Sequence, residues 1–197
     1  MLLEPEYAVL DAFMAEPQRD KYAGEVRAVV GLSSERISTY LRRLEKKGIL
    51  ESQRRGKQIF YHLNSVSALA AKCLGVLEFE RALKLAGGEG GAGKELVQAI
   101  TQALEAVGEH DFSFIADAGS LSNWKKSGVE ITVVRSGVET LITTHPIPQV
   151  HLIIISKEEF GKKLAQHYAQ KAFEKTRIVT SGEDAFWKAV LKELRYR

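Results

Sequence analysis

The side chains of this chain best suited to chemistry are cations set among hydroxyls. The stretch GLSSERISTYLRRLEKKG, residues 31–48, carries Arg36, Arg42, Arg43 and Lys46 interleaved with Ser34, Ser38 and Thr39. A second cluster, Arg54, Arg55 and Lys57, follows in QRRGK. Guanidinium and ammonium groups bind phosphate, and arginine and hydroxyl side chains also reach base edges. From Ser33 to His62 there are eight bases (Arg36, Arg42, Arg43, Lys46, Lys47, Arg54, Arg55, Lys57) against three acids (Glu35, Glu45, Glu51), a net of +5, whereas the whole chain carries +3. Everything else therefore sums to −2. A local basic patch on a near-neutral body is the footprint of a nucleic-acid-binding face.

Other chemistries find less support. Gly88, Gly93 and Lys94 have the spacing of a phosphate-binding loop, but Glu95 stands where a magnesium-binding Ser or Thr is needed, and the segment before it reads as helix rather than strand. Residues 86–94, AGGEGGAGK, read instead as a flexible linker. The five histidines show no ligand spacing; His145 and His151, flanking Pro146 and Pro148, are the pair that could converge. The single cysteine, Cys73, excludes an internal disulfide and a multi-cysteine metal site. No serine or cysteine nucleophile stands in a recognisable elbow. We therefore expect no metal and no cofactor.

The cations need elements to hold them. Residues 5–15 and 21–30 read as helices, with Pro5 in a first turn and Gly31 as a break. Ser33 is a good N-cap and Gly48 a good left-handed stop for the next helix. In it Ile37, Tyr40, Leu41 and Leu44 make an apolar face. Glu35, Ser38, Thr39, Arg42 and Lys46 fall opposite, with Arg36 and Arg43 on the borders. Alone, this helix is equally well an amphipathic helix with a solvated charged side. Its neighbours decide: two helices joined by a Gly-containing turn form a helix-turn-helix pattern. ILESQRRGKQIFYHLN after it is a β-hairpin with bases at its tip, placed to reach phosphates or a minor groove. Glu35, in the first turn, favours the helix dipole but would repel phosphate.

Residues 4–64 resemble the winged-helix domain of ArsR/MarR-type prokaryotic transcriptional regulators. The resemblance is carried by GLSSERISTYLRRLEKKGIL, the basic turn and the IFYHLN strand. It implies that Ser34, Glu35, Arg36, Ser38, Thr39 and Arg42 face the major groove, and that Arg54, Arg55 and Lys57 meet the backbone. The cysteine pairs of the metal-sensing members are absent, so a thiol metal sensor is not expected.

Residues 65–85 read as a long helix capped by Ser65, packed either on its own chain or against a second copy. We expect three segments: 1–64, a winged-helix domain; 65–93, a linking or dimerisation helix with its Gly-rich linker; and 94–197, an α/β domain of four or five strands. In that last segment Ser136-Gly137 predicts a hairpin joining VEITVV to VETLITT. Ser156 and Glu159 predict a capping box, and Ser181 with Asp184 predicts the cap of a final helix.

The C-terminal segment resembles the small nucleotidyltransferase-like domains often fused behind winged helices. AGSLSNWKKSGVEITVV carries that resemblance, with Gly119-Ser120 in the loop, followed by VHLIIISKEEFGKKL and RIVTSGEDAFWKAVL. The family implies two acids at alternate positions of a strand, binding magnesium. Here the position reads Gly128-Val129-Glu130, and a later acid is replaced by His151. A degenerate domain without transferase activity is the expectation, with Asp117, Gly119, Ser120 and Glu130 as a candidate ligand pocket.

The fold expected is α+β, and the function that of a DNA-binding transcriptional regulator whose C-terminal domain serves sensing or assembly. The alternative is an active magnesium-dependent nucleotidyltransferase with a winged-helix docking module. A winged helix used for protein contacts alone would leave the basic face without a purpose. The expected partners are double-stranded DNA, a second copy of the chain and a small-molecule effector, but no membrane, because no run approaches the roughly 18 apolar residues of a span. The acidic N-terminus does not read as a signal peptide, and one cysteine suits a reducing, cytoplasmic setting.

Overall fold

A computed structural model describes residues 2–86, 92–115, 121, 124–139, 141–144, 149–169 and 178–194. The chain divides into two compact units, Met1–Leu77 with Trp187–Arg197, and Glu78–Phe186. This division falls inside a helix, after Leu77, and residues 87–91 of the glycine-rich stretch read as a linker lie outside the described residues.

In the first unit α1 (Glu4–Met14), β1 (Lys21–Tyr22), α2 (Ala23–Val30) and α3 (Ser34–Lys46) precede a hairpin of β2 (Leu50–Arg55) and β3 (Gln58–Leu63). This is a winged helix-turn-helix order. Its core takes Val9, Leu10, Phe13, Val26, Ile37, Leu41, Leu44 and Ile49, all fully buried. Such burial is the main favourable term holding three short helices together. β1 is a correction to the sequence reading, which ran a helix from residue 21. Lys21 and Tyr22 instead pair antiparallel with Tyr61 and Phe60, making the wing three-stranded. A two-residue strand has no period to read.

α4 (Ala68–Ala86) starts later than expected. Ser67, not Ser65, caps it, its hydroxyl accepting from the Ala70 amide at 3.1 Å. Asn64 Oδ1 accepts from the Val66 amide at 3.0 Å, so residues 64–67 form a side-chain-closed turn before the helix.

The second unit holds α5 (Ala92–Val107), β4 (Phe112–Ile115), the short α6 (Trp124–Ser127), β5 (Val129–Val134), β6 (Leu141–Thr144), β7 (Val150–Ile155), α7 (Lys157–Ala169), β8 (Ile178–Ser181) and α8 (Glu183–Leu194), which runs on past Phe186. The sheet order is β6-β7-β5-β4-β8. β5 and β7 are parallel; the other neighbours are antiparallel. The expected β5–β6 hairpin is not formed, because β7 lies between the two. Its apolar run VHLIII suits an interior strand, and that outweighs the local Ser136-Gly137 turn. Side-chain alternation divides this core. Ile115, Val129, Ile131, Val133, Val150 and Leu152 cluster with Leu96, Ala99 and Ala103 of α5. Phe112 and Phe114, on the opposite face of β4, meet Phe160 of α7 and Phe186, with ring centroids 5.0–5.9 Å apart.

Two caps were expected here. Ser156 Oγ accepts from the Glu159 amide at 3.1 Å, as predicted. Ser181 does not cap α8. It ends β8, and its hydroxyl lies 2.7 Å from Ser113 Oγ and 2.7 Å from His110 Nε2. Ser113 Oγ also lies 2.6 Å from Thr180 Oγ1. One hydroxyl–imidazole chain thus closes the β4–β8 pairing where its register shifts.

Candidate nucleic-acid interface

α3 is fixed at both ends by its own sequence. Gly31, at φ 74°, stops α2 with its amide donating to the Arg27 carbonyl at 2.9 Å. Ser33 Oγ then accepts from the Arg36 amide at 3.4 Å. At the far end Gly48 has φ 70°, its amide bonds the Glu45 carbonyl at 2.8 Å, and the Ile49 amide bonds the Leu44 carbonyl at 3.0 Å. That pair of bonds is a Schellman stop, which needs a residue free to take positive φ.

The helix is held at three points. Ile37, Leu41 and Leu44 are fully buried. Lys47 Nζ donates to Glu6 Oε2 at 2.7 Å, and the Leu3 amide bonds the same carboxylate at 2.7 Å. Burial alone would raise the Glu6 carboxyl, but the Lys47 ammonium and the Leu3 amide more than reverse this and hold it below its ordinary value. Glu45 accepts from the Ser52 hydroxyl, tying the last turn of α3 to β2. Burial pushes the Tyr61 phenol up and the Glu45 carboxylate adds to this, against Arg42, which hydrogen-bonds the phenol. Lys47 and Glu45 are therefore positioning residues rather than free surface.

The outward side is what remains. Ser34, Glu35, Arg36, Thr39, Arg42, Arg43 and Lys46 are exposed, and Ser38 is half-buried. Thr39 donates its hydroxyl to the Glu35 carbonyl at 2.9 Å, which leaves the oxygen's lone pairs able to accept. Tyr40 departs from the sequence reading. It is half-buried rather than core, Arg43 sits 5.8 Å over its ring, and with Glu35, Arg36 and Thr39 the pair lines a shallow depression on the outer face. Sequence reading also missed Arg27, whose Nη1 donates to Ser34 Oγ at 3.2 Å from α2. Its place in the turn before Gly31 was the available signal.

On the wing the three cations differ. Lys57 is exposed in the turn, and among the described residues Arg54 donates through Nε to the Gly56 carbonyl, at 3.3 Å. Arg55 is committed: it ion-pairs with Asp20, bonds Gln53 Oε1 at 2.9 Å and lies 5.1 Å over the Phe60 ring.

The candidate pocket of the second unit is another matter. Asp117, Gly119 and Ser120 lie outside the described residues. Glu130 is exposed on β5, opposite His151 of β7 in the parallel register. Polar groups at the other end of β4 and β5 serve the fold: burial alone would raise the Asp111 carboxyl, but Lys157 at 2.7 Å and two bonds from Ser136 hold it below its ordinary range. Among the described residues no group of three or more His, Cys, Asp or Glu side chains is placed to hold a metal ion. No described helix is long and apolar enough to cross a membrane.

No protein-family model matches the chain, and no curated protein matches it. Two solved structures are similar in part. One is the PcaV transcriptional regulator from Streptomyces coelicolor in complex with its natural ligand, at 26% identity over 54% of this chain and 77% of that one, with a TM-score of 0.37. The other is MepR, a transcription regulator of the Staphylococcus aureus multidrug efflux pump MepA, at 13% identity over 54% of this chain and 80% of that one, with a TM-score of 0.38.

Proposed function

We propose that this chain is a DNA-binding transcriptional regulator that reads a duplex with α3 and the tip of its wing. The observation that carries this is the division of α3. Its apolar stripe is fully buried, while Arg36, Arg42, Arg43 and Lys46 stay exposed on the outer side among hydroxyl groups. A helix of that kind, followed by a cationic hairpin, supplies base-reading side chains and flanking phosphate contacts together. Arg42 and Thr39 sit at the centre of the outer face, and Arg54 and Lys57 take the backbone.

The second unit, in this reading, is a degenerate nucleotidyltransferase-like module that senses a small molecule or serves assembly. Support comes from the sequence resemblance of AGSLSNWKKSGVEITVV, in which the described parts are the short helix α6 and the strand β5. A single exposed Glu130 where paired acids would stand argues against two-metal catalysis. A second copy of the chain is assigned to the side of α4 where Leu69 and Val76 are 46% and 43% exposed. The single Cys73, buried, suits a cytoplasmic protein.

The test is duplex binding by the purified chain across a salt series, followed by selection from genomic fragments. Binding falls steeply with salt, and Arg42→Ala weakens it several-fold while reducing the salt slope by about one. Binding that ignores salt, or no binding to any duplex, overturns the reading.

A further inference from the structure

Arg54 and Arg55 are neighbours on β2 and therefore project to opposite faces of the hairpin. Arg55 shares its face with Gln53, Phe60 and His62, since Gln53 pairs with Phe60 and Glu51 with His62. β1 brings a carboxylate to that face, because Asp20 immediately precedes Lys21 and Tyr22, which pair with Tyr61 and Phe60. There Arg55 Nη2 donates to Asp20 Oδ2 and to Gln53 Oε1, and Arg55 Nε reaches the same amide oxygen at 3.2 Å. The other Asp20 oxygen lies 3.6 Å from His62 Nδ1. Arg54 and Lys57 have no acidic partner among the described residues. A carboxylate offers a guanidinium the same two-oxygen geometry as a phosphate.

We propose that Asp20 is an internal competitor for the nucleic-acid backbone, holding Arg55 on the sheet and so lowering the affinity of the wing for phosphate. This rests on the DNA-binding reading above. Asp20 lies in the connection between α1 and β1, 35 residues from its partner. The pair is half-exposed, so the brake it applies is modest and can be released by a phosphate in the right place.

The experiment is a salt series of anisotropy measurements on the full chain with a mixed-sequence duplex of about 30 base pairs, where binding is dominated by backbone contacts. Asp20→Asn and Asp20→Ser are each expected to bind about two- to fivefold more tightly at fixed salt, with a steeper salt slope. Arg55→Gln in the unaltered chain is expected to cost less than Arg54→Gln. In the Asp20→Asn background Arg55→Gln removes the whole gain. Wild-type binding with no gain in either Asp20 variant, and with Arg55→Gln as costly as Arg54→Gln, overturns this proposal alone. No binding by wild type or either variant overturns the DNA-binding reading with it. Binding by the Asp20 variants alone supports both.

Discussion

The two units use their polar side chains differently. In the first, ion pairs and hydrogen bonds tie the helices and the wing to one another, among them Glu6 with Lys47, Lys21 with Glu16, Glu45 with Ser52 and Asp20 with Arg55. They hold a helix whose outer cations are left exposed. In the second, two polar clusters are drawn into the fold. Ser113, Thr180, Ser181 and His110 close one strand pair, and Asp111, Ser136 and Lys157 brace the ends of others. A functional face is best recognised by which charged groups the fold leaves exposed, not by how many charges a segment holds.

That contrast can be broken first at the core of the second unit. Phe160→Ala removes the ring that meets Phe112, Phe114 and Phe186, and is expected to cost about 3–5 kcal/mol in denaturant melts. A loss under about 1 kcal/mol would mean that the aromatic cluster is not what holds α7 to the sheet.

Next in size is the Glu6–Lys47 tie. Its carboxyl is held below its ordinary value of 4.5, so the folded state favours the ionised form. The stability it contributes is complete above the unfolded-state value and is lost as pH falls through the lower folded-state value. Glu6→Gln is expected to cost about 1–3 kcal/mol near neutral pH and to flatten the acid limb of a stability–pH curve. An unchanged acid limb would assign it to other carboxylates.

The smallest effect is expected at Glu130. It is exposed, and Glu130→Ala should change stability by less than about 0.5 kcal/mol and leave duplex binding as it was. Magnesium-dependent turnover of a nucleoside triphosphate that disappears in this variant would restore the transferase alternative and erase the contrast between the units.

What could be read from sequence follows from range. α3 was legible because its period, its Ser33 cap and its Gly48 stop all lie within one short stretch, and the structure keeps the cap, the stop and the period at Ile37, Leu41 and Leu44. The wing hairpin was legible for the same reason. β1 was not, because Lys21 and Tyr22 become a strand only by meeting Phe60 and Tyr61. The Ser136-Gly137 turn misled because it is a local signal, whereas the sheet order is set by where β7 finds cover on both edges. Ser181 misled likewise: a capping pattern lost to a partner 68 residues away, Ser113. Arg55 was rightly seen as a wing cation, but its commitment to Asp20 depends on three strands and no local pattern announces it.

The chain has two tryptophans, both buried: Trp187 counts with the first unit and Trp124 with the second. It therefore carries its own optical reporters. Replacing either by phenylalanine leaves an emission signal that follows the melting of the other's unit. Trp124 shares its core with Ile115, Val129 and Ile131, so its emission reports any disturbance of that core, with no label attached.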